Sequence, residues 1–160
     1  MTAGALAAAA ALALAIAPPA RAEDPAPALA RLRVGLERLR ASGVDRALAA
    51  AVEARVCAAI AETSRADVVC PADVEAAALL AKSAATFGEC PPDECMKRVD
   101  AVRRADQRVS GALERGEKGL VLSLQLTRQD GPGPKVVEQV PADLDGIAAR
   151  VPGAVKELFK

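Results

Sequence analysis

The residues best equipped for chemistry are four cysteines, Cys57, Cys70, Cys90 and Cys95. A thiol can exchange with disulfides, ligate a metal, attack a substrate or be locked in a bridge, and spacing decides among these. No Cys-x-x-Cys is present, the usual arrangement for dithiol exchange. The gaps of 12, 19 and 4 intervening residues lack the paired short knuckles of a tetrathiolate zinc site. The sharpest chemical reading centres on Cys70. It immediately precedes Pro71 at an expected helix start, where backbone N–H groups and the helix dipole lower a thiol pKa.

Much other chemistry is excluded by composition. The chain has no histidine, tryptophan or tyrosine. That removes the commonest general base, Ser-His-Asp triads, Cys-His dyads, histidine metal sites and most aromatic stacking platforms. We therefore expect no enzyme, no catalytic residues, no cofactor and no metal. Lys97, Arg98, Arg103, Arg104 and Arg108 form a basic stretch, but Asp93, Glu94, Asp100 and Asp106 interleave with it. A solvated, salt-bridged face is the simpler reading, and a patch for an anionic partner is the sharper one. Asp143 and Asp145 most simply cap a final helix. The glycines at 116, 119, 131 and 133 follow no phosphate-loop pattern and read as turns.

These side chains need elements to hold them. Leu29 to Ala41 is ambiguous: Leu29, Leu32, Leu36 and Leu39 recur at helical spacing, whereas Leu32, Val34 and Leu36 alternate as in a strand. From the N-cap Asp45, the stripe Leu48, Val52, Val56, Ile60 predicts an amphipathic helix to about Thr63. Val68 to Cys70 reads as a short strand feeding a helix from Pro71 to Phe87, with Val74, Leu79 and Leu80 as its larger apolar groups. A tight loop holds Cys90 and Cys95, and a short helix follows to Ala105, with Met96, Val99 and Val102 on one side. The period then becomes two. Val109, Gly111 and Leu113 alternate, and Leu120, Leu122, Leu124 and Leu126 mark the clearest strand. Asp130 to Pro134 reads as a turn before a strand from Lys135 to Val140. A final helix spans Asp143 to Lys160, with Pro152 expected to kink or split it. The expected fold class is α/β: a single domain with a mixed sheet of about five strands covered by three to four helices, in the order β-α-β-α-α-β-β-β-α.

The amino terminus sets the compartment. Gly4 to Ala17 is almost purely Ala, Leu and Ile, Pro18-Pro19 breaks it, and Ala20-Arg21-Ala22 supplies the small-x-small pattern of a signal peptidase site. We expect residues 1–22 to be a signal peptide, 23–28 a disordered spacer and 29–160 the domain. The apolar run is shorter than the ~20 residues needed to span a bilayer, so no stable membrane span is expected after cleavage. Lys plus Arg equal Asp plus Glu at 21 each, and loss of Arg21 leaves the mature chain one unit negative. Nothing in that balance favours nucleic acid. Export makes disulfides the simplest fate of the cysteines. Of three possible pairings we favour Cys90 with Cys95, across a four-residue loop, and Cys57 with Cys70, tying a helix to the strand after it.

Ser42-Gly43-Val44-Asp45, the strand-to-helix passage Val68 to Asp73, Gly88-Glu89-Cys90 through Cys95, and Val109-Ser110-Gly111 together resemble a group of exported proteins common in myxobacterial-type proteomes. That group is similar to the amino-terminal domain of the periplasmic protein TolB and, more distantly, to the curli secretion lipoprotein CsgG. The resemblance covers roughly Arg31 to Phe159. It implies that the ambiguous first segment is a strand, that Cys90 and Cys95 are bonded, and that the domain binds partners in the cell envelope. Cys70, where Ser or Thr is more typical, and Cys57 depart from the pattern, and we expect a single domain without a carboxy-terminal propeller. The functional expectation is a non-catalytic periplasmic or secreted binding and assembly module with an envelope protein partner. The alternative is a thiol-redox or thiol-sensing protein centred on Cys70.

Overall fold

The computed structural model describes residues 31–160; the expected signal peptide and spacer lie outside the described residues. The chain runs β1 (Arg33–Leu36), β2 (Arg40–Ser42), α1 (Arg46–Ser64), β3 (Asp67–Val69), α2 (Pro71–Thr86), α3 (Pro92–Arg103), β4 (Gln107–Gly116), β5 (Gly119–Arg128), β6 (Gly131–Val140) and α4 (Leu144–Leu158). This is an α/β domain with a mixed six-stranded sheet, one strand more than expected.

The extra strand comes from the ambiguous first segment, which is extended. Val34 and Leu36 are buried. β1 and β2 lie parallel to the same neighbour, with Leu36 opposite Val109 but Arg40 opposite Ala112. One residue too many separates the two pairings, so residues 37–39 bulge out of an otherwise continuous strand. The bulge is held by the Glu37 N–H donating to the Val109 carbonyl at 2.8 Å and the Leu39 N–H donating to Glu53 Oε2 at 3.0 Å. Gly35 suits close packing here, since a Cβ would lie 3.1 Å from that of Ala105.

The sheet order is β3-β1-β4-β5-β6, with β2 beside β4. β1 is parallel to both β3 and β4, and β4, β5 and β6 form an antiparallel meander. One face carries the main core. Leu120, Leu122, Leu124 and Leu126 of β5 pack with Val109 and Leu113 of β4 beneath α1 and α4, which contribute Val52, Val56, Ile60, Ile147, Val151, Val155 and Leu158. Asp45 caps α1 as expected, its Oδ1 accepting from the Ala47 N–H at 2.8 Å. Asp143 caps α4 through the Gly146 N–H at 2.7 Å. α2 and α3 pack on each other around a second, smaller cluster of Ala81, Cys90, Cys95 and Val99.

Four expectations are corrected. Leu79 and Leu80 are 70% and 72% exposed, because the inward side of α2 is lined by Val74, Ala78, Ala81 and Ala85. Met96 is likewise exposed while Val99, on the same helix, is buried. Residues 131–134 belong to β6 rather than to a turn. Pro132 and Pro134 lack an N–H, and an edge strand tolerates that loss. The Gln125 side-chain amide donates to the carbonyls of Gly133 at 2.7 Å and Leu126 at 3.1 Å, stitching the register shift between Gln125 and Thr127. Finally, Pro152 does not split α4, which runs as one helix from Leu144 to Leu158. The carbonyl that Pro152 cannot satisfy belongs to Ala148, which is exposed to water.

Candidate binding site

Topology opens a cleft at one end of the sheet. β1 and β3 are adjacent and parallel, yet β1 leads through the bulge and β2 to α1 on the main-core face, and β3 leads directly to α2, whose Pro71 and Val74 share the cleft with Gly35 and Val69. Where neighbouring strands send their following segments to opposite faces, a crevice forms outside their carboxyl ends. Here it is a cleft of about 460 Å³.

Its floor is apolar: Gly35 and Leu36 of β1, Val69 of β3, and Pro71 and Val74 of the first turn of α2. Its rim is charged. Arg38 comes from the bulge, Arg103 from the end of α3 and Arg108 from β4, and they stand with Glu37 and Glu75. Arg38 is paired with Glu75, and its Nε lies 4.0 Å from the Glu53 carboxylate. Arg108 and Glu37 approach to 3.8 Å with both side chains more than half exposed, a pairing that water and salt screen strongly. Arg103 enters no ion pair among the described residues. Arg38 and Arg108 are thus matched by the carboxylates of Glu75, Glu53 and Glu37, and Arg103 is the guanidinium of the rim left for an incoming anion. The lining combines these three guanidiniums and the carboxylates of Glu37 and Glu75 with an apolar floor, an arrangement able to bind and orient a charged group.

The cysteines stand next to this cleft rather than in it. Cys57 of α1 is bonded to Cys70, and Cys90 to Cys95, with Cα separations of 6.0 and 6.1 Å. Both are ordinary spans for a disulfide. Cys70 is the residue before α2, as expected. Its N–H donates to Asp73 Oδ2 at 2.9 Å, satisfying a free backbone donor of the helix start. The bridge thus fixes the cleft wall at Pro71 to the main-core helix α1.

Protein-family models give no match to this chain. Curated proteins give none either. Among solved structures, the chain is similar to the PelC dodecamer from Paraburkholderia phytofirmans, at 13% identity, covering 85% of this chain and 91% of that one with a TM-score of 0.45. A single-substitution variant of the same dodecamer is 12% identical over 86% and 92%, with a TM-score of 0.43. Likeness of this degree carries no argument about function.

Of the basic residues singled out by sequence, Arg103 and Arg108 reach the cleft, whereas Lys97, Arg98 and Arg104 do not line it. Asp143 is a cap, and Asp145 lies in the first turn of α4. Sequence reasoning missed Arg38, because its place depends on a bulge that hydrophobic periodicity does not register. Gly35 in an alternating strand was the available signal.

Proposed function

We propose that this chain is a non-catalytic exported binding and assembly module of the cell envelope, and that the switch-point cleft takes an acidic, partly apolar segment of a protein partner. The observation that carries this reading is the convergence of Arg38, Arg103 and Arg108, from three separate elements, over the floor of Val69, Pro71 and Val74. Guanidiniums suit carboxylates through paired N–H donors, and the apolar floor suits a neighbouring aliphatic side chain. The leader-like amino terminus and the two disulfides support export, and an envelope role follows from the likeness to the TolB amino-terminal domain expected from sequence. Among the described residues no helix is long and apolar enough to cross a membrane. The thiol-redox alternative has no observation in its favour, since Cys70 is bonded to Cys57.

The test is site-specific photocrosslinking in cells that export the chain. A photoreactive residue at position 38 or 103 is expected to give an adduct with one envelope protein, and the same residue at position 62, on the exposed side of α1, to give none. Arg103→Glu with Arg108→Glu should abolish the adduct formed from position 38. An adduct pattern indifferent to both arginines, or turnover of a thiol or small-molecule substrate by the purified chain, would overturn the proposal.

A further inference from the structure

α2 is apolar on both sides, and only one side is covered. At 100° per residue, Ala72, Ala76, Leu79, Leu80, Ser83 and Phe87 fall within one arc of roughly 100°, opposite the Ala81 side that packs on α3. No charged residue lies in that arc. Leu79, Leu80 and Phe87 are 70%, 72% and 77% exposed, and Phe87 is one of only two aromatic residues in the chain. Scattered exposed leucines are ordinary, but an uncharged strip along a whole helix, apolar except at Ser83, is the kind of patch that interaction sites use.

We propose that a second copy of this chain covers this strip, forming a two-fold dimer through antiparallel α2 helices. The strip is self-complementary in that register. With Leu79 opposite the second copy's Leu80, residue numbers across the interface sum to 159. Phe87 then lies over the second copy's Ala72, and Ser83 over its Ala76. Large side chains meet small ones at both ends, and leucines meet at the axis, as an isologous contact requires. The charges agree as well. Lys82 and Glu75 lie on the same flank of α2, and in an antiparallel pair like flanks meet. Lys82 of each copy therefore stands near Glu75 of the other. Met96 of α3, 53% exposed, lies beyond Lys82 and Thr86 on that same flank. Closing two such faces removes on the order of 1,000 Å² of surface, the lower threshold for a specific interface and the size of a weak, concentration-dependent one. Glu75 also lines the cleft and pairs with Arg38, so the charge-reversed variants touch both sites, whereas Leu79→Asp with Leu80→Asp touches the strip alone and keeps the two proposals distinguishable.

The chain, exported with its own leader and purified from an oxidising compartment, is examined by sedimentation equilibrium from micromolar to sub-millimolar concentration. Oligomer mass is read as a multiple of the intact denatured mass. The wild-type chain is expected at twice that mass at the upper end, and Leu79→Asp with Leu80→Asp at the single mass with an unchanged far-UV spectrum. Lys82→Glu should weaken the dimer several-fold, and adding Glu75→Lys should restore it. A wild-type chain that stays monomeric across the range overturns the proposal, as does a dimer or higher assembly unmoved by the aspartates. Failure of the charge-reversed pair to recover overturns the antiparallel register.

Discussion

At the level of single residues, two glycines with opposite surroundings give opposite expectations. Gly111 lies in β4 on the core face. A Cβ there would sit 2.5 Å from the Ser123 carbonyl oxygen and 2.9 Å from both Leu124 Cδ2 and Leu39 Cδ2. The first of these is sheet backbone and cannot step aside. Gly111→Ala is expected to cost about 2–3 kcal/mol, read as a lower urea midpoint. Gly153 is exposed inside α4, and a Cβ there meets nothing. Gly153→Ala should raise stability by about 0.5–1 kcal/mol through reduced backbone freedom in the unfolded chain. The disulfides were legible at this scale because spacing and the order of elements both favoured the same two pairs. The cleft was legible only in part. Arg103 and Arg108 stand out as basic residues, but no local pattern says that they share a cavity with Arg38, 65 and 70 residues earlier in the chain.

Elements show where periodicity succeeds and where it fails. α1, β5 and α4 each face one core, so their burial alternates with the period of their own geometry and they read directly from sequence. β1 and β2 carried two periods at once, and tertiary pairing with β4 decided between them. α2 misled because alanine packs its inward side while leucines face outward, so the larger apolar groups marked the wrong face. In β6, Gly-Pro-Gly-Pro signalled a turn, yet an edge strand accepts proline and the Gln125 amide supplies donors to its carbonyls. The proline in α4 yields a prediction at this scale. Pro152 removes a hydrogen bond to the Ala148 carbonyl, and its ring crowds the preceding turn. Replacement by alanine restores that bond, at the smaller cost of a freer unfolded chain. Pro152→Ala should therefore stabilise by about 1–2 kcal/mol, seen as a higher urea midpoint with an unchanged slope.

Across the whole molecule, stability is divided unequally. Nineteen buried residues join the sheet to α1 and α4, whereas the cluster holding α2 to α3 has four, of which Val99 is the only large aliphatic side chain. The α2–α3 unit must therefore lean on its covalent ties. Cys90–Cys95 ties the end of the loop after α2 to the first turn of α3, and Cys57–Cys70 anchors the start of α2 to α1. On a chain-entropy basis these contribute about 2 and 3 kcal/mol respectively. Without them, burying Val99 and a few alanines and thiols offsets little of the entropy of ordering two helices, while the larger core keeps all its leucines. Reduction should thus open the α2–α3 unit locally and leave the sheet intact. With neither tryptophan nor tyrosine in the chain, hydrogen exchange read by mass spectrometry is the suitable probe. Under reducing conditions, peptides spanning residues 74–99 should lose protection, while those from β5 and α4 keep theirs. A uniform loss across β5, α4 and the α2–α3 unit together would mean that the domain unfolds as one cooperative body. The proposed cleft, one wall of which is the first turn of α2, would then survive or vanish with the whole fold rather than be sensitive to reduction by itself.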